Sequence, residues 1–165
     1  MGSVKTLHVV GFKNSGKTTL INRWVRLLKE KGYDVSVVKH HGHGAKLDMP
    51  DAKKDSMQYL YNGADVSLVA GGGFTQHMIN REASFQELKQ LAVWNDPDVV
   101  LIEGYKAEEG EKVVLIRNDE DWQELKNIEG IKLVVGLEST CPYPQIESRE
   151  KTKMLDEWLL DWITK

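Results

Sequence analysis

The chain has 165 residues, 41% of them hydrophobic, enough for one domain built around a central sheet with little left for a second core. Its 22 Lys+Arg against 25 Asp+Glu give a formal charge of −3, and no block of like charge marks a nucleic-acid groove or a basic membrane-binding helix. No apolar run approaches the roughly 20 residues of a membrane span, the first residues have no leader architecture, and the single Cys141 cannot close an internal disulfide, so a cytoplasmic protein is expected.

The first element is Leu7-His8-Val9-Val10, an apolar run suited to a buried parallel strand. It leads into Gly11-Phe12-Lys13-Asn14-Ser15-Gly16-Lys17-Thr18, a complete match to the phosphate loop G-x-x-x-x-G-K-[ST]. Leu20, Ile21, Trp24, Val25, Leu27 and Leu28 then recur at helical spacing. Strand, glycine-rich loop, helix is the context the motif requires.

The chemistry of that octet is specific. At Gly11 and Gly16 the backbone can take conformations that a Cβ would obstruct, so successive N–H groups across Asn14, Ser15, Gly16, Lys17, Thr18 and Thr19 are candidates to line an anion nest. The helix starting near Gly16 adds free N–H donors and the positive end of its dipole. Lys17 is expected to reach the β- and γ-phosphates as a point charge, and the Thr18 hydroxyl to sit on a magnesium ion bridging them.

Gly32 is a natural helix C-cap, and Asp34 to His40 reads as the second strand. The loop His40-His41-Gly42-His43 follows, with Asp48, Asp51 and Asp55 downstream. Three readings of it are open: a metal site, for which no cysteine pair supplies further ligands, a contact of His41 and its neighbours with substrate or γ-phosphate, or a solvated polar loop. His8 and His77 read as structural strand residues.

A helix is expected from Asp51 to Asn62, capped by Gly63, then a strand at Val66 to Ala70, the Gly71-Gly72-Gly73 turn and a strand at Phe74 to Ile79 that can pair with it as a hairpin. A helix near Ser84 to Val93 precedes Asp98-Val99-Val100-Leu101-Ile102, a second strongly apolar strand. Glu103 stands at its carboxyl end. Phosphate-loop proteins place an acidic residue there to orient magnesium, and ligands of open α/β sheets collect outside the carboxyl ends of strands, so Glu103 is the second candidate functional group, with polarising an attacking water as its alternative role.

Lys112 to Ile116 and Lys132 to Val135 read as two further strands. Asn118-Asp119-Glu120-Asp121 keeps the Asn and Asp of a guanine-reading Asn-Lys-x-Asp tetrad but lacks its Lys, and the same residues suit an N-cap and acidic first turn of a helix through Trp122 and Leu125. Cys141-Pro142-Tyr143-Pro144 is a rigid turn without a resolving thiol. The chain ends in an amphipathic helix with Met154, Leu155, Trp158, Leu159, Trp162 and Ile163 on one face. This alternation of strand and helix predicts a single domain over 1–165: an α/β, three-layer phosphate-loop NTPase fold with a mostly parallel sheet flanked by helices.

Taken together, GFKNSGKTT at Gly11 to Thr19, the His40 to His43 loop, Lys54-Asp55-Ser56, Gly63-Ala64 and Ile102-Glu103-Gly104-Tyr105-Lys106 resemble, in order, the motifs of the molybdopterin-guanine dinucleotide biosynthesis protein B (MobB) family, over roughly residues 4 to 136. The resemblance implies a GTP-binding adaptor with weak GTPase activity, using GTP and Mg2+, that helps a partner molybdopterin guanylyltransferase attach GMP to molybdopterin; it also implies a homodimer. Asp55 matches the family pattern and is carried over as a site residue, whereas Leu60 stands where members often have Arg, so a phosphate contact by that Arg does not transfer. Two other classes would use the same loop: a small-molecule kinase, which needs several arginines to clamp donor and acceptor, and a metal-delivery GTPase, which would account for the histidines.

Overall fold

The structure, a computed structural model, describes residues 4–42 and 46–165. These divide into two compact units, residues 4–40 with 89–165, and residues 41–42 with 46–88.

The first unit is built on a six-stranded sheet. Its strands are β1 (Lys5–Val10), β2 (Val35–Lys39), β5 (Val99–Glu103), β6 (Glu111–Leu115), β7 (Ile131–Val135) and the short β8 (Gln145–Ile146), in the spatial order β2-β5-β1-β6-β7-β8. Every pairing in it is parallel. Parallel strands covered on both faces read as continuous apolar runs, and β5 accordingly is buried at all five residues.

Alternation along each strand divides the core. Leu7, Val9, Val113 and Leu115 face a cluster completed by Leu20, Ile21, Trp24 and Leu28 of α1 (Lys17–Glu30) and by Leu155, Leu159 and Ile163 of α5 (Thr152–Thr164). Val10, Val114 and Ile116 face the opposite cluster, with Trp122 and Leu125 of α4 (Asp119–Leu125). Helix, sheet, helix is the expected three-layer α/β arrangement. Within the terminal helix's apolar stripe, Trp158 stacks between Trp24 and Trp162 at ring separations of 6.2 and 6.5 Å, while Met154 is 46% exposed and stands outside the packing.

The second unit holds α2 (Asp55–Tyr61) and the antiparallel hairpin β3 (Val66–Gly71) with β4 (Phe74–Ile79), in register from Val66 opposite Ile79 to Gly71 opposite Phe74. The helix starts four residues later than its apolar pattern suggests, because the Asp51 carboxylate accepts from the Lys53 amide and closes a turn over 51–54. Met57, Leu60 and Met78 form this unit's own small core. α3 (Phe85–Ala92) spans the passage back to the first unit. No helix among the described residues is long and apolar enough to cross a membrane.

Candidate functional site

The site is positioned by the sheet's register. β1 lies between β5 and β6, with Val9 opposite Glu103 on one side and Val10 opposite Val114 on the other. β2 lies against β5 with Lys39 opposite Glu103. The carboxyl ends of these strands therefore bring Lys39, Glu103 and the loop beginning at Gly11 side by side, and the Gly104 amide donates to the Val9 carbonyl at 2.9 Å to close the join.

Within the loop, each glycine has a steric reason. A Cβ on Gly11 would lie 2.6 Å from Ser15 Oγ and 2.7 Å from the Leu115 carbonyl oxygen, closer than real Cβ contacts come. Gly16 has φ +96°, in the left-handed region that only glycine adopts freely, and it is the N-cap of α1 without any side-chain cap. Asn14 shares the left-handed region at φ 63°. The first N–H groups of α1 consequently have no side-chain partner and face the cleft, as an anion site at a helix N-terminus requires.

The charged groups converge on the same place. Lys17 Nζ donates to the Gly11 and Phe12 carbonyls at 3.0 and 2.8 Å, so its ammonium lies over the loop. Burial draws its pKa below the usual lysine range; the Glu103 carboxylate pulls the other way, and Lys39 and Arg117 add to the lowering. Thr18 Oγ1 donates to Glu103 Oε2 at 2.9 Å. The Glu103 residue is 8% exposed, and its second oxygen lies 3.4 Å from Lys39 Nζ. Ser15 Oγ is buried and has no hydrogen-bond partner.

Together these side chains line an open cleft of about 760 Å³, with Lys13, Asn14, Gly16, Lys17, Thr18 and Thr19 along one wall and Lys39 and Glu103 beside them. Arg23, Arg149 and Glu150 complete it. Five cationic side chains (Lys13, Lys17, Arg23, Lys39, Arg149) thus meet two carboxylates (Glu103, Glu150). Such an excess of positive charge, beside the uncapped N-terminus of α1, favours a polyanion.

Of the residues singled out in the sequence, Gly11, Asn14, Ser15, Gly16, Lys17, Thr18, Thr19 and Glu103 are brought together here. His41 and Asp55 belong to the second unit; both are exposed, and Asp55 is the first residue of α2. His43 lies outside the described residues. Among the described residues no three His, Cys, Asp or Glu side chains gather as a metal site. His8 is buried in β1, its Nδ1 3.2 Å from the Gly104 carbonyl oxygen, and burial lowers its pKa.

The acidic tetrad resolves into a helix cap. Asn118 is the N-cap of α4, and its side chain accepts from the Asp121 amide at 2.9 Å. Asp121 is buried and held bidentate by Arg117 through two 2.7 Å bonds, and it also accepts from the Arg117 amide at 3.0 Å. Those bonds occupy the carboxylate that a guanine-reading tetrad would need. Arg117 in turn donates to the Lys13 carbonyl at 3.0 Å and lies over the Phe12 ring, tying the cap to the phosphate loop.

Sequence reasoning missed Arg149. It is the fifth and last arginine of the chain, in a polar turn more than a hundred residues from the loop, with no periodicity or motif to signal it.

Residues 6–136 match the family model described as molybdopterin guanine dinucleotide synthesis protein B. A probable molybdopterin-guanine dinucleotide biosynthesis adapter protein of Bacillus subtilis (strain 168) is 37% identical over 128 residues, spanning 78% of this chain and 74% of that protein. The molybdopterin-guanine dinucleotide biosynthesis adapter protein of Escherichia coli (strain K12) is 29% identical over 119 residues, 70% and 67% of the two. Among solved structures, Bacillus subtilis MobB is similar with a TM-score of 0.82 at 30% identity, over 94% of this chain and 96% of that one. A MobB protein homolog from Bacillus stearothermophilus gives 0.78 at 31%, over 96% and 97%.

Proposed function

The chain belongs to the molybdopterin guanine dinucleotide synthesis protein B family and takes part in molybdopterin-guanine dinucleotide biosynthesis, and from that premise we propose that it is a GTP-binding adaptor that assists a partner guanylyltransferase in joining GMP to molybdopterin. The observation that carries the nucleotide part is the meeting of Thr18 and Lys17, at the head of α1, with Glu103, at the end of β5, in one cleft of excess positive charge.

Each residue has a role in this reading. The amides from Asn14 to Thr19 hold the phosphates, and Lys17 turns from the Gly11 and Phe12 carbonyls to a stronger, charge-assisted contact with phosphate oxygens. A magnesium ion fits the donor set: the Thr18 hydroxyl and the Glu103 carboxylate are adjacent hard oxygens, and Glu103 is a buried anion that a cation would compensate. That ion would neutralise charge on the β- and γ-oxygens. Hydrolysis is slow in this reading, at most that of a weak GTPase, because the sequence has no signature of an arginine finger supplied in cis. His41 and Asp55 are assigned to the nucleotide or second-substrate side through the family resemblance, with molybdopterin as the second ligand.

A core of Met57, Leu60 and Met78 is small for a domain of its own, which supports reading 1–165 as one nucleotide-binding domain with the hairpin unit inserted. The family reading also makes the protein a cytoplasmic homodimer. Titration with GTP and ATP in magnesium, followed by reconstitution with the guanylyltransferase and molybdopterin, tests the proposal. GTP binding together with an increased yield of the dinucleotide is the expected result; absence of both overturns it.

A further inference from the structure

Arg149 is placed at the phosphate loop by chain that lies beyond the segment 6–136 that the family model matches. It stands in the turn between β8 and α5, three residues after Ile146 and three before Thr152. Its Nη1 and Cδ lie 3.3 and 3.4 Å from the point that a Cβ on Gly16 would occupy, so the guanidinium rests against the bare backbone at the head of α1.

Two further facts give that position meaning. The turn is held at both ends by the core, through Ile146 at 4% exposure and Leu155 at 1%. It is closed by its own bonds: the Glu150 amide donates to Ser148 Oγ at 3.1 Å, the Lys151 amide to the Ser148 carbonyl at 3.1 Å, and the Thr152 amide to the Glu150 carbonyl at 2.8 Å. The turn is ordered, and its arginine is uncommitted. Arg23, the other arginine lining the cleft, is bidentate to Asp156 at 2.8 and 2.5 Å, whereas Arg149 makes no hydrogen bond or ion pair with any described residue. A planar cation held beside free amides, with no carboxylate of its own, is suited to a phosphate.

We propose that Arg149 is a phosphate-binding residue, which closes over the α- and β-phosphates of the bound nucleotide in the cleft that Lys39 and Glu103 also line. The assignment to those phosphates follows from Gly16, since the loop amides around it cradle the α/β pair while Lys17 reaches towards β and γ. The inference rests on the nucleotide-binding reading above. Arg149 then acts on GTP and GDP alike and supplies nothing specific to hydrolysis.

Calorimetric titration of the full chain with GTP and with GDP, each in magnesium, tests this in wild type, Arg149→Ala, Arg149→Lys and, as a control, Arg26→Ala. Because Arg149 is exposed and unpaired, the variants should melt as the wild type does. Loss of a charged hydrogen bond to phosphate should weaken both nucleotides by about 10- to 100-fold in Arg149→Ala, with Arg149→Lys intermediate and Arg26→Ala unchanged. Wild-type affinity for both ligands in Arg149→Ala overturns the inference, and so does a loss confined to GTP. A wild-type chain that binds neither nucleotide instead overturns the functional reading, and this inference with it.

Discussion

Thr18 Oγ1 donates a 2.9 Å hydrogen bond to Glu103 Oε2 across 85 residues of chain. The bond joins the first turn of α1 to the last residue of β5, two elements that meet only because β5 inserts between β1 and β2 in the sheet. A hydroxyl and a carboxylate so placed are what a magnesium ion at a triphosphate needs. Wild type should therefore bind GTP more weakly when magnesium is chelated, by about tenfold or more, equivalent to about 1.4 kcal/mol. In Thr18→Ala and Glu103→Gln that dependence should vanish. Titrations with and without a chelator check it, and a magnesium effect preserved in both variants would argue against the assigned pair.

Lys17 gives a separate test, independent of the metal. Its ammonium bonds only to the Gly11 and Phe12 carbonyls of a part-buried loop, outside the hydrophobic core, so Lys17→Ala should leave the empty protein folded. GTP at about a hundredfold above its dissociation constant should stabilise wild type by about 2.7 kcal/mol. Thermal melts with and without GTP should show most of that shift gone in the variant; an undiminished shift would sink the role given to Lys17.

Much of this was legible in the sequence for physical reasons. Strands β1, β5, β6 and β7 fall on apolar, β-branched runs because a parallel sheet covered on both faces buries nearly every residue, and the phosphate loop is legible because its glycines answer local backbone demands at Gly11 and Gly16. β8 left no such mark. It is two residues long, follows a proline-rich turn, and exists because the Gln145–Ile146 pair meets Val134 and Val135. Arg149 was equally silent, since an exposed cation takes its meaning from what lies across the cleft. The Asn118 to Asp121 segment was ambiguous in kind: a cap and a base-reading tetrad use the same residue types, and only the bidentate Arg117 partner decides between them.

Gly11→Ala probes the loop's packing rather than its charge. The new methyl would meet Ser15 Oγ, which can turn aside, and the Leu115 carbonyl, which belongs to β6 and cannot. Overpacking of this kind costs about 1–3 kcal/mol. Urea denaturation should register that loss, and nucleotide affinity should fall with it because the displaced segment carries the phosphate amides. Unchanged stability and affinity would mean the backbone accommodates a side chain at Gly11 after all.

The α4 cap yields a pH-dependent prediction. The Arg117 guanidinium, bonded to both Asp121 oxygens, holds that carboxyl below the usual aspartate range against the opposing effect of burial. A carboxyl with a depressed folded pKa stabilises the fold above its unfolded pKa of about 3.9, and the contribution is lost as pH falls through the lower folded value. Asp121→Ala should therefore cost about 1–3 kcal/mol near pH 7; Arg117 is partly exposed and can return to water, which keeps the loss below that of a fully buried pair. Asn118→Ala, which removes the cap but no charge, should cost about 0.5–2 kcal/mol at neutral and acid pH alike. Denaturation curves at pH 7, 5 and 3 separate the two: the Asp121 penalty should shrink at the lowest pH while the Asn118 penalty persists. Neither substitution should alter the choice between GTP and ATP, because both side chains serve the helix; a switch in that preference would return Asn118 and Asp121 to base recognition.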